Sequence, residues 1–308
     1  MRYYYFNPKS KEYYFPKGFE NYSLFATFYR PYKLTAKFLW WIWKSVPLFR
    51  YLFSTDQPEK FLPIQQINGF VTSTSVMAFN LGTSGIERKI TVLGVDAITN
   101  EEFFIKYATT EITCLNVMNE GVILNQLSHL LFVPILKQKI DKENDYSLII
   151  TSVLKGEKMI YQPINEKLLN ILFVLSEQNV TTNRVFLSDK INCFAHGDFC
   201  VWNILVDSGE YKLFDWELAG IYPLGFDLFT YIFQYEFLVK ETEHIMALLD
   251  KNSLIINKYF NHFNVEHWMV YLYEFAKLKH RIESDKNDLK LVEYYFRLRE
   301  FAFASKMN

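Results

Sequence analysis

Three acids and an asparagine stand out by type and spacing in the stretch FAHGDFCVWNILVDSGEYKLFDWELAG, Phe194 to Gly220: Asp198, Asn203, Asp215 and Glu217. Short apolar runs that read as strands separate them, and carboxylates between strands are unfavourable unless something offsets their charge. If NILV and YKLF pair as a hairpin around Asp207, Ser208 and Gly209, then Asn203 and Asp215 arrive at the same end. An amide oxygen and a carboxylate there make an oxygen-ligand site suited to Mg2+, whose shell waters and substrate phosphates would complete. Asp198, five residues before Asn203 in a tight HGDF turn, is not needed as a ligand. A carboxylate held beside a metal-bound phosphate suits a general base that takes the proton of an attacking hydroxyl.

Phosphate chemistry also needs a cation and a backbone cradle. Lys106 in FFIKYA is placed to point at phosphates, and Glu120, fourteen residues later on a helical pattern, is placed to pair with it; Glu111 precedes the same helix. The turn holding Gly82 and Gly85 offers backbone N–H groups to a phosphate, although GxxG between strands is a common pattern. His129, His244, His262, His267 and His280 show no metal-ligand spacing.

The elements that would position these groups fall in order along the chain. SVMAFNLG and RKITVLGVDA read as two strands around the Gly82/Gly85 turn, and EEFFIKYA alternates like a third. CLNVMNEGVILNQLSHL carries apolar residues at helical spacing, and YSLIITSVL reads as a buried strand before the Lys155–Gly156 turn. From Asn165 onward the pattern is mainly helical, with NEKLLNILFVLSEQ as one helix and several aromatic-rich helices over 225–305; the acid-bearing stretch is a strand–loop–strand insert.

Composition sets the outer bounds. The chain has 308 residues, half of them hydrophobic and 22% charged, which indicates a globular protein large enough for two lobes. A net charge of −1 gives no electrostatic footprint for nucleic acid, and Cys114, Cys193 and Cys200 form neither a CxxC pair nor a disulfide framework, so a reducing, cytoplasmic setting is expected. The charge is unevenly spread. Residues 1–60 hold ten Lys and Arg against four Asp and Glu, and 20 of the 56 aromatics. Within them Lys33 to Phe53, KLTAKFLWWIWKSVPLFRYLF, is interrupted by Lys37, Lys44, Pro47 and Arg50, so a membrane span is not expected. Aromatic residues interleaved with lysines fit a helix lying in a membrane interface, a peripheral contact at the inner face through residues 33–53; the alternative is packing on the protein's own surface or an oligomer contact.

With these residues in view, HGDFCVWNIL followed by FDWELAGIYPLGFDL resembles the aminoglycoside phosphotransferase and choline kinase group of kinase-like enzymes: HGD, Asn five residues after the Asp, a DWE strand end and a downstream Asp-Leu. The resemblance runs from about Ser73 to the C-terminus and leaves the segment 1–60 outside. It implies an α+β, two-lobed protein-kinase-like fold with a small β-rich N-lobe and a larger helical C-lobe. It implies Asp198 as catalytic base, Asn203 and Asp215 as Mg2+ ligands, and Lys106, oriented by Glu120, on the phosphates of ATP. His196 would pack the catalytic loop, Asp227 would brace it from below, and the backbone around Thr151, Val153 and Leu154 would meet the adenine. Glu217 would be a second metal contact or a substrate contact. The nucleotide loop departs from protein kinases in lacking three glycines, and Gly197 stands where they commonly carry Arg. Only eleven residues separate Asp215 from Asp227, which leaves no room for a long regulatory segment.

The expected organisation is therefore a basic, aromatic extension over 1–60, a nucleotide-binding lobe over 61–154 and a catalytic, acceptor-binding lobe over 155–308. The expected activity is transfer of the γ-phosphate of ATP to a hydroxyl of a small molecule, with a sugar, an amino-alcohol or a glycolipid precursor of cell-surface glycan assembly as the acceptor. Two other readings are a catalytically silent kinase-like scaffold at the membrane surface, which the filled catalytic positions argue against, and a metal-dependent phosphoesterase, which would leave Lys106 and Glu120 without a purpose.

Overall fold

The computed structural model describes residues 2–6, 11–29, 34–60, 62–83, 85, 88–142, 145–241, 244–286 and 288–306. The chain divides into two compact units: residues 1–121 with 135–153, and residues 122–134 with 154–308. The division into a β-rich part and a mainly helical part expected from the sequence is borne out.

Among the described residues the first unit is built on an eight-stranded sheet of β1 (Tyr3–Phe6), β2 (Lys11–Pro16), β3 (Ser54–Thr55), β4 (Ser75–Thr83), β5 (Ile90–Asp96), β6 (Glu102–Ala108), β7 (Leu136–Lys142) and β8 (Tyr146–Thr151), in the spatial order β3-β1-β2-β4-β5-β6-β8-β7. Every pairing is antiparallel. Side chains alternate between faces along each strand. Tyr14, Met77, Phe79, Leu81, Val92, Phe103, Ile105 and Tyr107 fill one face, with Leu62 and with Ile67 of a short helix; Tyr13, Phe15, Ala78, Leu93 and Val95 fill the other, against Trp40 and Trp43.

The segment 1–60 does not stand apart from this unit. Its aromatics run consecutively, Tyr3–Phe6 and Tyr13–Phe15, and meet the cores on both faces of the sheet, and β1, β2 and β3 extend the sheet beyond β4. The run read as one helix from Lys33 is two: in chain order after α1 (Ser23–Ala26) come α2 (Leu34–Ser45) and α3 (Pro47–Leu52), with Pro47 opening the second, where its missing N–H costs nothing. Lys33 itself lies outside the described residues. Trp40 and Trp43 are buried and stacked, 5.2 Å between ring centroids. α4 (Ile64–Asn68) carries Ile67, and α5 (Glu111–Gln126) is the helix of Glu120.

The second unit holds β9 (Glu157–Lys158), β10 (Asn192–Ala195), β11 (Ile204–Asp207), β12 (Glu210–Leu213) and β13 (Gly220–Pro223), with α6 (Glu166–Ser176), α7 (Phe226–Leu238), α8 (Ile245–His262), α9 (Met269–Lys286) and α10 (Leu289–Lys306). Strands β12-β11-β9 form one small sheet and β10-β13 another. Asn165 caps α6 by accepting the Leu168 N–H. Ten of the thirteen residues of α7 are buried, which makes it the central helix of this unit. Residues 122–134 join it through Gln126, whose amide donates to the Thr181 carbonyl at 2.8 Å and accepts from the Thr181 N–H at 2.9 Å.

Candidate active site

The hairpin inferred from the acid spacing is present. β11 and β12 pair with Ile204 opposite Leu213 and Asp207 opposite Glu210. Ser208 and Gly209, both at positive φ (51° and 81°), form the two-residue turn that matches strand twist. Beyond the last ladder pair the Phe214 N–H donates to the Asn203 carbonyl at 3.2 Å, so Asn203 and Asp215 come out at the same end. Asp215 sits in the left-handed region at φ 69°, a conformation with a cost that for a non-glycine residue clusters at functional sites. Its carboxylate and that of Glu217 approach within 4.8 Å of each other.

Asp198 is held on both oxygens. The Asn203 side-chain amide donates to Asp198 Oδ2 at 2.8 Å and to the Asp198 carbonyl at 3.0 Å. On Oδ1 the Gln234 amide and the Cys200 thiol donate, each at 3.2 Å. Burial pushes that thiol well above its ordinary range, so it stays protonated and remains a donor. The Asn203 contacts also fix its amide: with Nδ2 donating to Asp198, Oδ1 is the atom it can offer a cation. An amide oxygen and two carboxylates fit a hard divalent ion such as Mg2+.

The loop that carries Asp198 is fixed from beneath. The Asp227 carboxylate, in the first turn of α7, accepts the His196 N–H at 2.6 Å and the Gly197 N–H at 3.0 Å. Burial pushes the Asp227 carboxyl up to about 7, against the pull of those two donors. His196 is fully buried and both ring nitrogens are engaged, Nε2 with the Phe214 carbonyl at 3.0 Å and Nδ1 with the Asp198 N–H at 3.3 Å. That pattern requires a neutral ring with its proton on Nε2 and assigns it to packing rather than proton transfer. Gly197 has φ 83°, and a Cβ there would lie 2.2 Å from the Leu218 carbonyl oxygen. No side chain fits at this position, arginine included.

Sequence reasoning missed the support behind Asp198. Gln234 lies seven residues after Asp227, two turns along one face of α7, and its Oε1 accepts from Lys279 Nζ of α9 at 2.9 Å. Lys279 is only 5% exposed, lies 3.9 Å from a Glu283 oxygen, and sits over the Phe226 and Tyr295 rings. The i, i+7 spacing from Asp227 was the available signal; a lysine among apolar helix residues carries none. α7 also presents Tyr231 and Tyr235, and Tyr161 stacks on Tyr235 at 4.0 Å and 4° while its hydroxyl donates to Glu236.

In the first unit, Lys106 and Glu120 form the expected pair, Nζ to Oε2 2.5 Å, with both side chains buried. Lys106 lies opposite Ile149 of β8. One residue after Glu120, Gly121 has no side chain to hold α5 off that strand: a Cβ there would lie 3.0 Å from Ile149 and 2.8 Å from Lys139. The missing methyl lets the helix press on the sheet at the strand pair that carries Lys106. Gly82 closes β4 with its N–H donated to the Asn80 side chain, and Gly85 lies in the turn beyond; Ser84, Ile86 and Glu87 fall outside the described residues. Thr151 ends β8, buried and opposite both Phe104 and Leu136, while Val153 packs against the aromatic cluster of α2.

Residues 180–244 match the sequence model of the phosphotransferase enzyme family. No curated protein sequence matches the chain. Among solved structures it is similar to an amicoumacin kinase, hAmiN, in complex with AMP-PNP, Ca2+ and Ami, at 11% identity over 80% of this chain and 96% of that one, TM-score 0.49. It is also similar to a thermostable mutant of aminoglycoside phosphotransferase APH(4)-Ia with ADP and hygromycin B (10% identity, 82% and 99% of the two chains, TM-score 0.49). A third is APH(3'')-Id from Streptomyces rimosus (11% identity, 78% and 96%, TM-score 0.43). The segment that holds Asp198, Asn203, Asp215 and Asp227, with its HGD and DWE motifs, is thus the part of the chain that is similar to the phosphotransferase enzyme family.

Proposed function

We propose that the protein is an ATP-dependent kinase that phosphorylates a hydroxyl of a small molecule. The observation that carries this reading is the state of Asp198: a carboxylate whose two oxygens are fixed by Asn203, Gln234 and Cys200, beside a hairpin end that offers an amide oxygen and the carboxylates of Asp215 and Glu217. Asp198 is the base that takes the proton of the acceptor hydroxyl, and its fixed donors hold it aimed. Asn203 and Asp215 are the residues that would hold Mg2+, with Glu217 able to join them. The ion, when bound, neutralises charge on the phosphates. Lys106, oriented by Glu120, contacts the nucleotide phosphates, and the backbone near Thr151 and Val153 takes the adenine.

The acceptor is a sugar, an amino-alcohol or a glycolipid precursor. The cluster of Tyr161, Tyr235 and Glu236 already holds a cation, the Lys240 ammonium, 2.9 Å from Glu236 and over both rings, so the choice among these acceptors rests on the family resemblance of the HGD segment. The test is ADP release by the purified full-length chain across a panel of sugars, amino-alcohols and glycolipid head groups. Asp198→Asn should lower turnover by about 10²- to 10⁴-fold while nucleotide still binds. Normal turnover by that variant removes Asp198 from the mechanism, and no acceptor-dependent ADP release from any class leaves the silent scaffold as the better reading.

A further inference from the structure

Helix α2 of the N-terminal segment is apolar on two sides. Trp40 and Trp43 of α2 point into the first unit, against Phe15 and Phe19. On the opposite side of the same helix, at i, i+4 and i+7, Leu34, Phe38 and Trp41 are 82%, 60% and 60% exposed. Phe38 and Trp41 stack on each other there, centroids 6.2 Å apart, rather than on the protein. α3 continues the exposure with Leu48 and Leu52, 75% and 70% exposed. Monomeric proteins rarely leave contiguous large apolar side chains in water unless something covers them.

Charge indicates what covers them. From Leu34 to Thr55 the chain has Lys37, Lys44 and Arg50 and no acid. Arg50 is buried, bonded to Glu20 and stacked over Tyr4 and Phe19, so it belongs to the interior. Lys37, exposed, and Lys44, half-buried with its ammonium 5.6 Å from the centre of the Trp40 ring, remain two turns apart on one face, beside the Leu34–Phe38–Trp41 stripe. A tryptophan and phenylalanine stripe flanked by lysines and free of acids is the composition of a helix lying in a lipid headgroup layer. Among the described residues no helix is long and apolar enough to cross a membrane.

We propose that the outward side of α2 and α3 seats on an anionic lipid surface, with Phe38 and Trp41 entering the headgroup region and Lys37 and Lys44 meeting the lipid charges. The inference stands on this face alone and not on the kinase reading. It also differs from the sequence expectation in its anatomy: the same helix packs inward through Trp40 and Trp43 and outward through Phe38 and Trp41, so it docks the whole unit instead of peeling away from it.

The experiment is co-sedimentation of the full-length protein with two kinds of vesicle, phosphatidylcholine alone and two parts phosphatidylcholine to one part phosphatidylglycerol. The native chain should pellet with the anionic vesicles at low salt and less at high salt. Phe38→Ser with Trp41→Ser should weaken partitioning about tenfold or more, and Lys37→Gln with Lys44→Gln about fivefold per lysine. All four positions are exposed or half-exposed, so the thermal midpoint of each variant should match the native chain. No binding to anionic vesicles, or equal binding by the variants, overturns the proposal. So does a native dimer in sedimentation that the Phe38/Trp41 variant dissolves, because the face would then belong to a second copy.

Discussion

Gln234 and Lys279 form a series arrangement, and that arrangement has a kinetic signature. Gln234→Leu removes the amide that donates to Asp198 Oδ1 at 3.2 Å. A neutral donor to a carboxylate contributes about 1.5–3 kcal/mol, and a long bond belongs at the lower end. Since about 1.4 kcal/mol is a factor of ten in rate, kcat should fall about tenfold with the KM for ATP little changed. Lys279→Met leaves the amide in place but removes the buried ammonium, 2.9 Å from its oxygen, that sets which end faces Asp198. The loss in kcat should again be about tenfold. Because the second residue acts only through the first, the double variant should lose about tenfold and not a hundredfold. The assay is steady-state ADP release with saturating acceptor, beside near-ultraviolet circular dichroism to verify packing. A hundredfold loss in the double variant, or an unaltered kcat in Lys279→Met with a lowered one in Gln234→Leu, refutes the series arrangement.

Three further outcomes are expected. Glu120→Ala removes the carboxylate 2.5 Å from the buried Lys106 ammonium, and should lower stability in urea titrations by about 3–5 kcal/mol; a loss under about 1 kcal/mol would contradict the buried-pair assignment. Gly197→Ala places a methyl 2.2 Å from the Leu218 carbonyl oxygen at φ 83°, which must shift the loop before Asp198; turnover should fall about a hundredfold, and native turnover would contradict the close approach. Asp227 has a folded carboxyl pushed up to about 7 by burial, above its unfolded value of about 3.9. The folded state therefore holds a proton that the unfolded state has released between those values. Stability from this group is full below about pH 4 and is lost as pH rises through 7. The thermal midpoint of the native chain relative to Asp227→Asn should fall from pH 5 to pH 8; a constant difference contradicts the shift.

What was legible in the sequence was whatever local chemistry dictates. Ser208–Gly209 announces a two-residue turn, the turn fixes the register of β11 and β12, and the register brings Asn203 and Asp215 to one end. Lys106 on a strand and Glu120 on the following helix could be paired from their spacing, although Gly121, which lets them meet, gives no sign until the Ile149 contact is known. The segment 1–60 was harder. Its composition differs from the rest, and composition suggested a separate object; yet strand pairing is decided by edge availability, and β2 adds to the free side of β4. The dual character of α2 was invisible for a related reason, since a helix apolar on two sides shows no clean stripe until one side is covered. Gln234 and Lys279 belong to helices brought together only by tertiary packing; the i, i+7 spacing from Asp227 points to the first, and nothing in the sequence marks the second.

The central claim is a nucleotide and cation site at the Asn203–Asp215 end of the hairpin, and thermal stabilisation by ATP with Mg2+ tests it most directly. Ligand at a hundredfold its Kd stabilises the folded state by about 2.7 kcal/mol, a rise of several degrees in Tm for a chain of this size. The account predicts that the rise requires both ATP and Mg2+ and disappears in Asp215→Asn. The same midpoint with and without ATP–Mg2+ in the native chain would contradict it.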